Sequence, residues 1–419
     1  MIAARALRNV DAAESIDLTA GHAMLPWKPT RRGGHMNRIA PSVGALLLLS
    51  TSMASAGALD RTAQPVDVLF QDGNYAELNF SYTIPDVQGT FSNPLLGVAE
   101  AGDVASDFGL ASLSFKSDLS DRVSLAVIID QPFGAEVDYG DADPTYPIAG
   151  SVAQFESLAV TALGRYKFNE TFSLHAGVRY VQVKASLLSQ VTSITVDPLT
   201  GLPAATLYTY DGDFESDDAL GYVVGAAYER PDIALRVALT YSSETEFSHD
   251  TTFSGTTLGT GQTDYTLPQS VNLDFQTGIA AGTLLFGSIR WVDWSSTVID
   301  AAGYAFNPVV SYDDDYVTYT LGVGRQFTDK LAASAAVIYE PSIGSDFDPA
   351  TGEGGLSNLG PTDGQLGIQL AANYAVTNNV EVGLGVRYVS LGGGTSRFFG
   401  ADFDDNHAIS AGLRIGYRF

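Results

Sequence analysis

Apolar and polar residues alternate with a period of two through most of the chain after residue 57, and no stretch there keeps a helical period. The alternation is clearest in residues 172–180 and recurs in residues 233–241 and 380–388. In the first stretch, one face carries Phe172, Leu174, Ala176, Val178 and Tyr180, and the other carries Ser173, His175, Gly177 and Arg179. Because successive side chains of a strand point to opposite faces, the pattern predicts strands with one apolar and one polar face.

The alternating stretches predict fourteen strands, near residues 75–85, 106–117, 122–132, 153–168, 172–189, 217–229, 233–247, 269–280, 283–296, 313–327, 331–341, 363–376, 379–391 and 406–419. The links between them alternate between short turns and long connections of roughly 14 to 27 residues. A soluble sandwich gives no reason for such sorting, whereas transmembrane barrels have short periplasmic turns and long extracellular loops. The sequence therefore predicts an all-β transmembrane antiparallel barrel over residues 75–419, with the apolar faces toward lipid.

The ends of the predicted strands agree with a barrel in an outer membrane of the Gram-negative type. The chain closes on an alternating strand with Phe419 last, similar to the terminal signal by which outer-membrane barrels are recognised. We therefore expect the barrel-assembly machinery as a partner, through Phe419. Aromatic side chains near the strand ends match the aromatic belts of membrane interfaces, and they are Tyr166, Phe168, Tyr180, Tyr228, Trp291, Trp294, Tyr339, Tyr374, Tyr388 and Tyr417.

Residues 36–56 contain the three parts of a secretory signal peptide in order. Arg38 supplies the positive charge, an apolar run follows, and small residues up to Ala56 form the cleavage site. The apolar run is too short to span a bilayer, which needs about 20 apolar residues. We predict Met36 as the true start, cleavage after Ala56 and residues 1–56 as the leader; a buried helix of a cytoplasmic domain is the alternative.

The composition is acidic but poor in charge. Charged residues make up 17% of the chain, against about 25% in soluble domains, while 48 acidic and 22 basic residues give a net charge of −26. Removing residues 1–56 leaves 45 acidic and 16 basic residues, a net charge of −29. Such a chain repels nucleic acid. The acidic residues are expected in long loops, where lipid does not reject them, around residues 136–143, 211–218, 313–315, 346–353 and 402–405.

The sequence predicts no enzyme, no cofactor and no metal site. The chain has no cysteine, and residues 57–419 contain three histidines, His175, His249 and His407. Without a GxSxG element, a serine hydrolase has no evident catalytic triad. The acidic loops lack the spacing of an EF-hand. We expect solvated loops facing lipopolysaccharide, with bound divalent ions as the alternative.

Residues 57–74 precede the first predicted strand and are unusually apolar for a free tail. They combine Asp60, Arg61 and Asp67 with five apolar residues, which are Leu59, Val66, Val68, Leu69 and Phe70. We predict that this segment is an N-terminal hatch inside the barrel, where irregular backbone is surrounded by protein or water. A disordered periplasmic tail is the alternative.

Four stretches resemble the FadL-type long-chain fatty acid transporters of the outer membrane, in the order in which that family has them. The resemblance covers nearly the whole chain after the leader, and fourteen strands is also the family's number. The Asn-Pro-Ala element usual near the family's N-terminus is absent, and residues 63–65 stand in a comparable position. The four stretches are residues 129–134 followed by Tyr139, residues 267–270 followed by 291–295, residues 315–324 followed by 339–342, and residues 406–408 with Phe419.

The resemblance implies a monomeric barrel in which a hydrophobic ligand is captured near the extracellular loops and leaves sideways at an inward kink of the third strand. Pro132, Phe133 and Gly134 lie where this kink would be. Pro132 removes a backbone donor and Gly134 permits unusual backbone, so strand pairing breaks most easily there. Alternatively, Pro132 only ends the strand where a long loop begins.

Strand parity also predicts the polar side chains that line the lumen. Arginine suits the carboxylate of a fatty acid, which makes Arg165, Arg179, Arg236 and Arg387 candidates for the ligand path. The same arginines can instead pair with lumen carboxylates and hold the barrel together. The full lumen set is Glu77, Asn79, Arg122, Arg165, His175, Arg179, Arg236, Asp274, Gln276, Gln369, Asn373, Glu381, Arg387 and Arg414.

Together these features predict a passive outer-membrane transporter that takes up long-chain fatty acids or other hydrophobic compounds and releases them near the kink. A lateral exit suits an apolar ligand, because the outer leaflet solvates it better than water does. The expected partners are this ligand, outer-membrane lipid and lipopolysaccharide. A general diffusion porin for small polar solutes is the main alternative, favoured if residues 57–74 are a tail; an adhesive barrel would need no ligand path.

Overall fold

A computed structural model describes residues 59–93, 97–196, 203–344, 347–348, 350–351 and 354–419. The predicted leader, with Met36 and the cleavage site after Ala56, lies outside the described residues. Fourteen antiparallel strands form a closed barrel, which confirms the predicted fold. They are β1 (Tyr75–Asp86), β2 (Phe108–Asp118), β3 in two parts (Val123–Asp130, β3a, and Gly134–Asp138, β3b), β4 (Val152–Lys167), β5 (Phe172–Val196), β6 (Pro203–Arg230), β7 (Leu235–Ser242), β8 (Ser270–Ala280), β9 (Thr283–Val292), β10 (Tyr316–Gln326), β11 (Leu331–Glu340), β12 (Gln365–Ala375), β13 (Val380–Leu391) and β14 (His407–Arg418).

Each strand pairs with its neighbours in chain order, and β1 closes the barrel on β14. That last ladder runs without interruption from Tyr75 opposite Arg418 to Asp86 opposite His407. A closed sheet leaves no free edge, so the backbone donors and acceptors of the wall are satisfied within lipid. The closure therefore agrees with a membrane-spanning barrel.

The two faces of the wall have the inverted polarity that lipid requires. Along β13, the apolar side chains of Leu384, Val386 and Tyr388 point outward and are 60%, 54% and 52% exposed. The arginines of the opposite parity, such as Arg179 and Arg414, are buried inside. At the short-turn end, the ring pairs Tyr166–Phe168 and Phe172–Tyr228 lie outward with centroids 5.1 and 5.0 Å apart, as an interfacial belt does.

Two predicted strands, 172–189 and 217–229, were too short on the long-loop side. β5 and β6 continue to pair up to Val196 opposite Pro203, so residues 190–196 and 203–216 form strand and not loop. Asp211 and Asp213 accordingly lie on the exposed face of a strand. Residues 208–215 do alternate, with Tyr210 and Phe214 on the buried face, but their acidic residues indicated a loop. Residues 190–196 do not alternate cleanly, although the backbone ladder is continuous.

The other long links also contain strands. Residues 243–269 form an added hairpin, Thr245–Gly255 with Gly259–Leu267, which extends the sheet beside β6. Further short strands are Gln88–Asn93, Gly97–Asp103, Val298–Ile299, Val310–Ser311, Gly394–Thr395 and Asp402–Phe403. The long links pack over one end of the barrel, where the rings of Tyr139 and Tyr146 stack at 5.6 Å.

Helical structure in the described part of the chain is limited to the short 3-10 turns Asp67–Phe70, Pro231–Ile233 and Trp294–Ser296. No helix among the described residues is long and apolar enough to cross a membrane.

Candidate functional site

The third strand is interrupted between β3a and β3b. β3a pairs with β2 on one side and β4 on the other, and its ladder with β2 ends at Ile129 opposite Leu113. β3b resumes pairing with β4, from Gly134 opposite Glu156, and forms no ladder with β2 in the described chain. Residues 108–112 of β2 are therefore paired with β1 alone. The chain just before β2 bridges β3b again, with Ala105 opposite Val137 and Asp138 N–H donating to Val104 O at 2.9 Å. A gap in backbone pairing between β2 and β3b is therefore left at the interruption. The strand does not simply end at Pro132.

The N-terminal segment (residues 59–74) supplies the hydrogen bonds that β2 does not. Asp60 forms an antiparallel bridge with Phe133. The backbone N–H of Arg61 donates to the carbonyl of Pro132 at 2.8 Å, and the N–H of Gly134 donates to the carbonyl of Leu59 at 2.8 Å. Pro132 serves as an acceptor only, so its missing N–H costs this bridge nothing.

The side chains of the interruption face different surroundings. Phe133 is buried, and its ring lies edge-on to Trp294 with centroids 6.0 Å apart. Its backbone is fixed on both sides by Ser157, whose hydroxyl accepts from Phe133 N at 2.8 Å and donates to Phe133 O at 2.6 Å. A Cβ added at Gly134 would lie 3.3 Å from Arg61 Nε and 3.3 Å from Phe155 O. The backbone at Gly134 therefore needs a small residue to lie against Arg61.

Arg61 lies inside this gap. Its Nε donates to Gly134 O at 2.8 Å, and its guanidinium carbon is 3.5 Å from the ring centroid of Phe108 on β2. The side chain is buried, and Nη1 has no hydrogen-bond partner among the described residues. Burial lowers the pKa of Arg61 to about 10, and the nearby Glu136 opposes that shift, so the guanidinium stays charged at neutral pH.

Two of the predicted ligand-path arginines, Arg165 and Arg236, contact the N-terminal segment. Arg165 donates to the carbonyl of Leu69 at 3.2 Å and forms an ion pair with Glu229. Arg236 pairs with Asp67 at 3.2 Å. The two guanidinium carbons lie 4.5 and 4.6 Å from the ring centroid of Phe70. The five apolar residues predicted for a hatch are buried or, for Phe70, partly buried.

A second polar cluster holds the start of the same segment. Arg179, the third candidate, donates to Gln64 and to Thr161 Oγ1, the latter at 3.0 Å. Thr62 Oγ1 donates to Asp130 Oδ2 at 2.6 Å. These bonds join the segment to β3a, β4 and β5.

An ion pair that the lumen set did not include, Arg290 with Asp60, completes this cluster. Its atoms are 2.7 Å apart and both side chains are 7% exposed. Arg290 alternates with outward Ile289 and Trp291, so strand parity could have found it. Lys116 was missed in the same way. It is buried and donates to the carbonyls of Gln71 at 2.7 Å and Gly73 at 2.9 Å.

The remaining predicted arginines lie elsewhere. Arg387 faces the lumen from β13, which lies between β12 and β14. Its Nε and Nη2 lie 3.0 and 2.5 Å from Gln369 Oε1. No carboxylate of the described residues lies within 4.0 Å of Arg387. The prediction that Arg122 lines the lumen was wrong. It is exposed in the turn before β3a, where strand parity no longer applies.

An apolar cavity lies beside the interruption. It has a volume of about 60 Å³ and is partly open. Its wall includes residues from the segment, β3b, β4 and the added hairpin, among them Leu59, Ala135, Phe155, Phe214, His249 and Tyr265. His249 has both ring nitrogens occupied, Nδ1 by Glu215 O at 2.6 Å and Nε2 by Tyr265 Oη at 2.7 Å. The cavity thus presents carbon surface, as a site for a hydrophobic compound does.

In the part of the chain that the structure describes, no three side chains of His, Asp or Glu are placed to hold a metal ion.

Comparison with solved structures places this architecture among outer-membrane channels. A Pseudomonas aeruginosa FadL homologue superposes with a TM-score of 0.67 and 16% identity, over 88% of this chain and 97% of that chain. The Pseudomonas putida toluene transporter TodX gives 0.57 and 14%, over 87% and 96%. The Ralstonia pickettii toluene transporter TbuX gives 0.56 and 12%, over 88% and 97%. At such identities the likeness is one of fold.

Comparison of the amino-acid sequence with protein-family models identifies the family. No curated protein matches this chain at the level of sequence. A family model described as outer membrane protein transport protein (OMPP1/FadL/TodX) matches residues 58–350, which is more than half of the chain. The match confirms the resemblance seen in the four sequence stretches and the outer-membrane location. The chain belongs to the OMPP1/FadL/TodX family of outer-membrane transport proteins, channels for hydrophobic compounds.

Proposed function

We propose that this protein takes up long-chain fatty acids or similar hydrophobic compounds passively and releases them sideways through the gap between β2 and β3b. The observation that carries the proposal is the position of this gap directly beside the apolar cavity, with Leu59 and Ala135 common to both. An apolar ligand in that cavity gains more by moving into lipid than by crossing water.

In this proposal the N-terminal segment acts as a hatch. Its contacts with Arg165, Arg179 and Arg236 hold it in the lumen, where it would oppose an axial route. Because Leu59 and Arg61 share backbone hydrogen bonds with Pro132 and Gly134, movement of the hatch changes the gap directly. Arg165, Arg179 and Arg236 then stabilise the hatch and do not bind ligand.

The named ligands of the relatives support a hydrophobic substrate without fixing which one. One relative is a FadL homologue and two are toluene transporters. We further infer that the barrel is a monomer, faces lipopolysaccharide through its long loops, and is assembled through Phe419. The exposure of Phe419, whose ring stacks on Tyr417 at 5.6 Å, supports access for the assembly machinery.

The test replaces Pro132 by Val and Gly134 by Ala in one variant, with Gly164→Ala as the control. A Cβ at Gly164 meets only atoms at 3.7 Å or more. We expect slower uptake of labelled oleate in the double variant, since both changes alter the interruption, and normal uptake in the control. Heat-modifiable migration on a gel checks that both barrels are folded. Unchanged uptake in the double variant would remove the argument for lateral release.

Planar-bilayer recording separates this function from a diffusion porin. A lumen filled by the N-terminal segment is expected to carry no large steady current. A large steady open-channel current from the purified protein would favour the porin.

A further inference from the structure

We propose that Arg61 binds the anionic head group of the ligand in the gap, so that the lateral route selects carboxylates over neutral compounds of the same length. The proposal rests on the proposed function, because it takes the gap between β2 and β3b as the ligand's path. It adds to that function a specific residue and a class of ligand, an amphiphile with a long apolar chain and one carboxylate.

The first observation is the bonding of the Arg61 guanidinium. One edge is used, by Nε with Gly134 O at 2.8 Å, and one face is covered by the ring of Phe108 at 3.5 Å. Nη1 is buried and has no acceptor among the described residues. No carboxylate of those residues lies within 4.0 Å of Arg61. One donor is therefore left without an acceptor, and no carboxylate contacts the charge, on which Glu136 acts only from beyond 4.0 Å.

The energetics of such a group indicate a missing partner. A buried charge without a counter-ion and a buried donor without an acceptor are both costly. Arg165, Arg236 and Arg290, which also face the segment, each have a carboxylate of the protein. A carboxylate ligand would give Arg61 an ion pair like those of these three arginines, through a charge-assisted hydrogen bond.

The second observation is where the neighbouring side chains point. Leu59 lines the apolar cavity, and Arg61 follows two residues later, just past the single bridge that Asp60 makes with Phe133. Ala135 lines the cavity as well, whereas Gly134, which accepts from Arg61 Nε, lies on the opposite face of β3b. Arg61 therefore lies between the cavity and the outer face of the wall, where a ligand that moves from the cavity into the gap passes Nη1.

Arg179 and Arg387 are the other interior arginines of the described chain without a carboxylate within 4.0 Å, and both fit this role less well. Arg179 donates to Gln64 and Thr161. Arg387 uses Nε and Nη2 on Gln369 Oε1, and it lies on the wall formed by β12, β13 and β14. Neither the cavity nor the gap includes it. Arg387→Gln thus serves as a matched control, since it removes one interior arginine without touching the gap.

The experiment compares oleate with oleyl alcohol, which has the same chain and no charge, in vesicles containing the full-length protein. We expect Arg61→Gln to slow oleate transfer about ten-fold, the effect of losing one charged hydrogen bond, and to leave oleyl alcohol transfer unchanged. Arg61→Lys keeps the charge and is expected to retain most oleate transfer. Arg387→Gln is expected to change neither ligand. Gel mobility before and after heating verifies that each variant has folded.

Two results would overturn the proposal. Equal slowing of both ligands in Arg61→Gln would mean that Arg61 only fastens the segment to Gly134, and unchanged oleate transfer would mean that it does not act on the ligand. Equilibrium binding of oleate to the detergent-solubilised protein separates this site from the transport function. If the wild-type protein binds oleate through Arg61 but transfers neither ligand, lateral transport fails while the site stands. If it binds no oleate, the site fails.

Discussion

Two seams of this barrel, the boundaries β1–β14 and β2–β3, each have a proline near a strand end, and of these two only the second is open. Where β1 meets β14, Pro85 sits opposite Ala408 and the ladder continues to Asp86. Where β2 meets β3, the ladder stops just before Pro132. A proline at a strand end removes one donor and is tolerated at an edge. The difference is that the N-terminal segment offers Pro132 and Gly134 other partners.

The chemistry on the inner side of the two seams also differs. The inner side of the closed seam is charged, because Arg414 lies 3.5 Å from both Glu77 and Glu381. An apolar ligand does not bind favourably against such a charged surface. Behind the open seam lies the apolar cavity with Phe155 and Tyr265. The interrupted strand pairing and the apolar cavity thus lie at the same place in the barrel. This combination supports a lateral route for an apolar ligand.

The largest effect is expected from bridging the open seam. Gln131 Oε1 already accepts from Ala111 N at 3.3 Å across the gap, so a short thiol cross-linker can join these positions in an Ala111→Cys, Gln131→Cys variant. The chain has no cysteine of its own, which makes the reaction specific. Since the linker fixes β2 against the interruption, oleate uptake is expected to be lost, and a cleavable linker should restore it.

The closed seam provides the control for this cross-link. Tyr82 and Ala411 are opposite each other on β1 and β14. A Tyr82→Cys, Ala411→Cys variant joined in the same way is expected to keep its uptake. Equal loss in both variants would show that the cross-link acts on the barrel in general and that the seams do not differ.

A smaller effect is expected from weakening the attachment of the segment behind the open seam. Asp60→Asn breaks the buried pair with Arg290, and removing one partner of such a pair costs about 3–5 kcal/mol. The freed segment is expected to admit polar solutes, measured as increased current in a bilayer. Glu156→Gln, which breaks the exposed pair with Lys184, is the control and should leave the current unchanged, because solvent screens an exposed pair. A silent Asp60→Asn channel would contradict the role of this pair.

The smallest effect is expected from Gly134→Ala alone. The added methyl group would lie 3.3 Å from Arg61 Nε, and a shift of a few tenths of an ångström accommodates it. We expect oleate uptake to fall about two-fold, because the guanidinium position sets how well it meets the ligand. Titrating uptake against oleate concentration checks this, and a loss as large as that of the bridged seam would mean that the backbone at Gly134 itself controls the opening.

Much of the fold followed from the sequence because period two is a strong signal where one face meets lipid and the other meets the lumen. Residues 172–180 have that contrast, and they form a strand with the predicted faces. Residues 190–196 also form strand, although their apolar residues do not alternate cleanly. Residues 208–215 do alternate, but their acidic side chains indicated a solvated loop, and the continuous backbone ladder is what shows a strand.

The site was less predictable because it depends on contacts between distant residues. The positions of Pro132 and Gly134 indicated a weak point, but nothing local indicates that Leu59 and Arg61 bond to them. Strand parity predicts that Arg165 faces the lumen. Its hydrogen bond with Leu69 O depends on where the N-terminal segment runs inside the barrel, which the local sequence does not show. The same holds for Arg61, which the sequence places in a segment without regular structure.

A structure of the protein with bound oleate tests the central claim most directly. The account predicts that the hydrocarbon chain lies in the cavity beside Phe155 and Tyr265, with its end directed to the gap between β2 and β3b. Density for the ligand between Phe70 and the barrel wall at Lys116, continuing to the short-turn end, would contradict lateral release and place the route along the barrel axis.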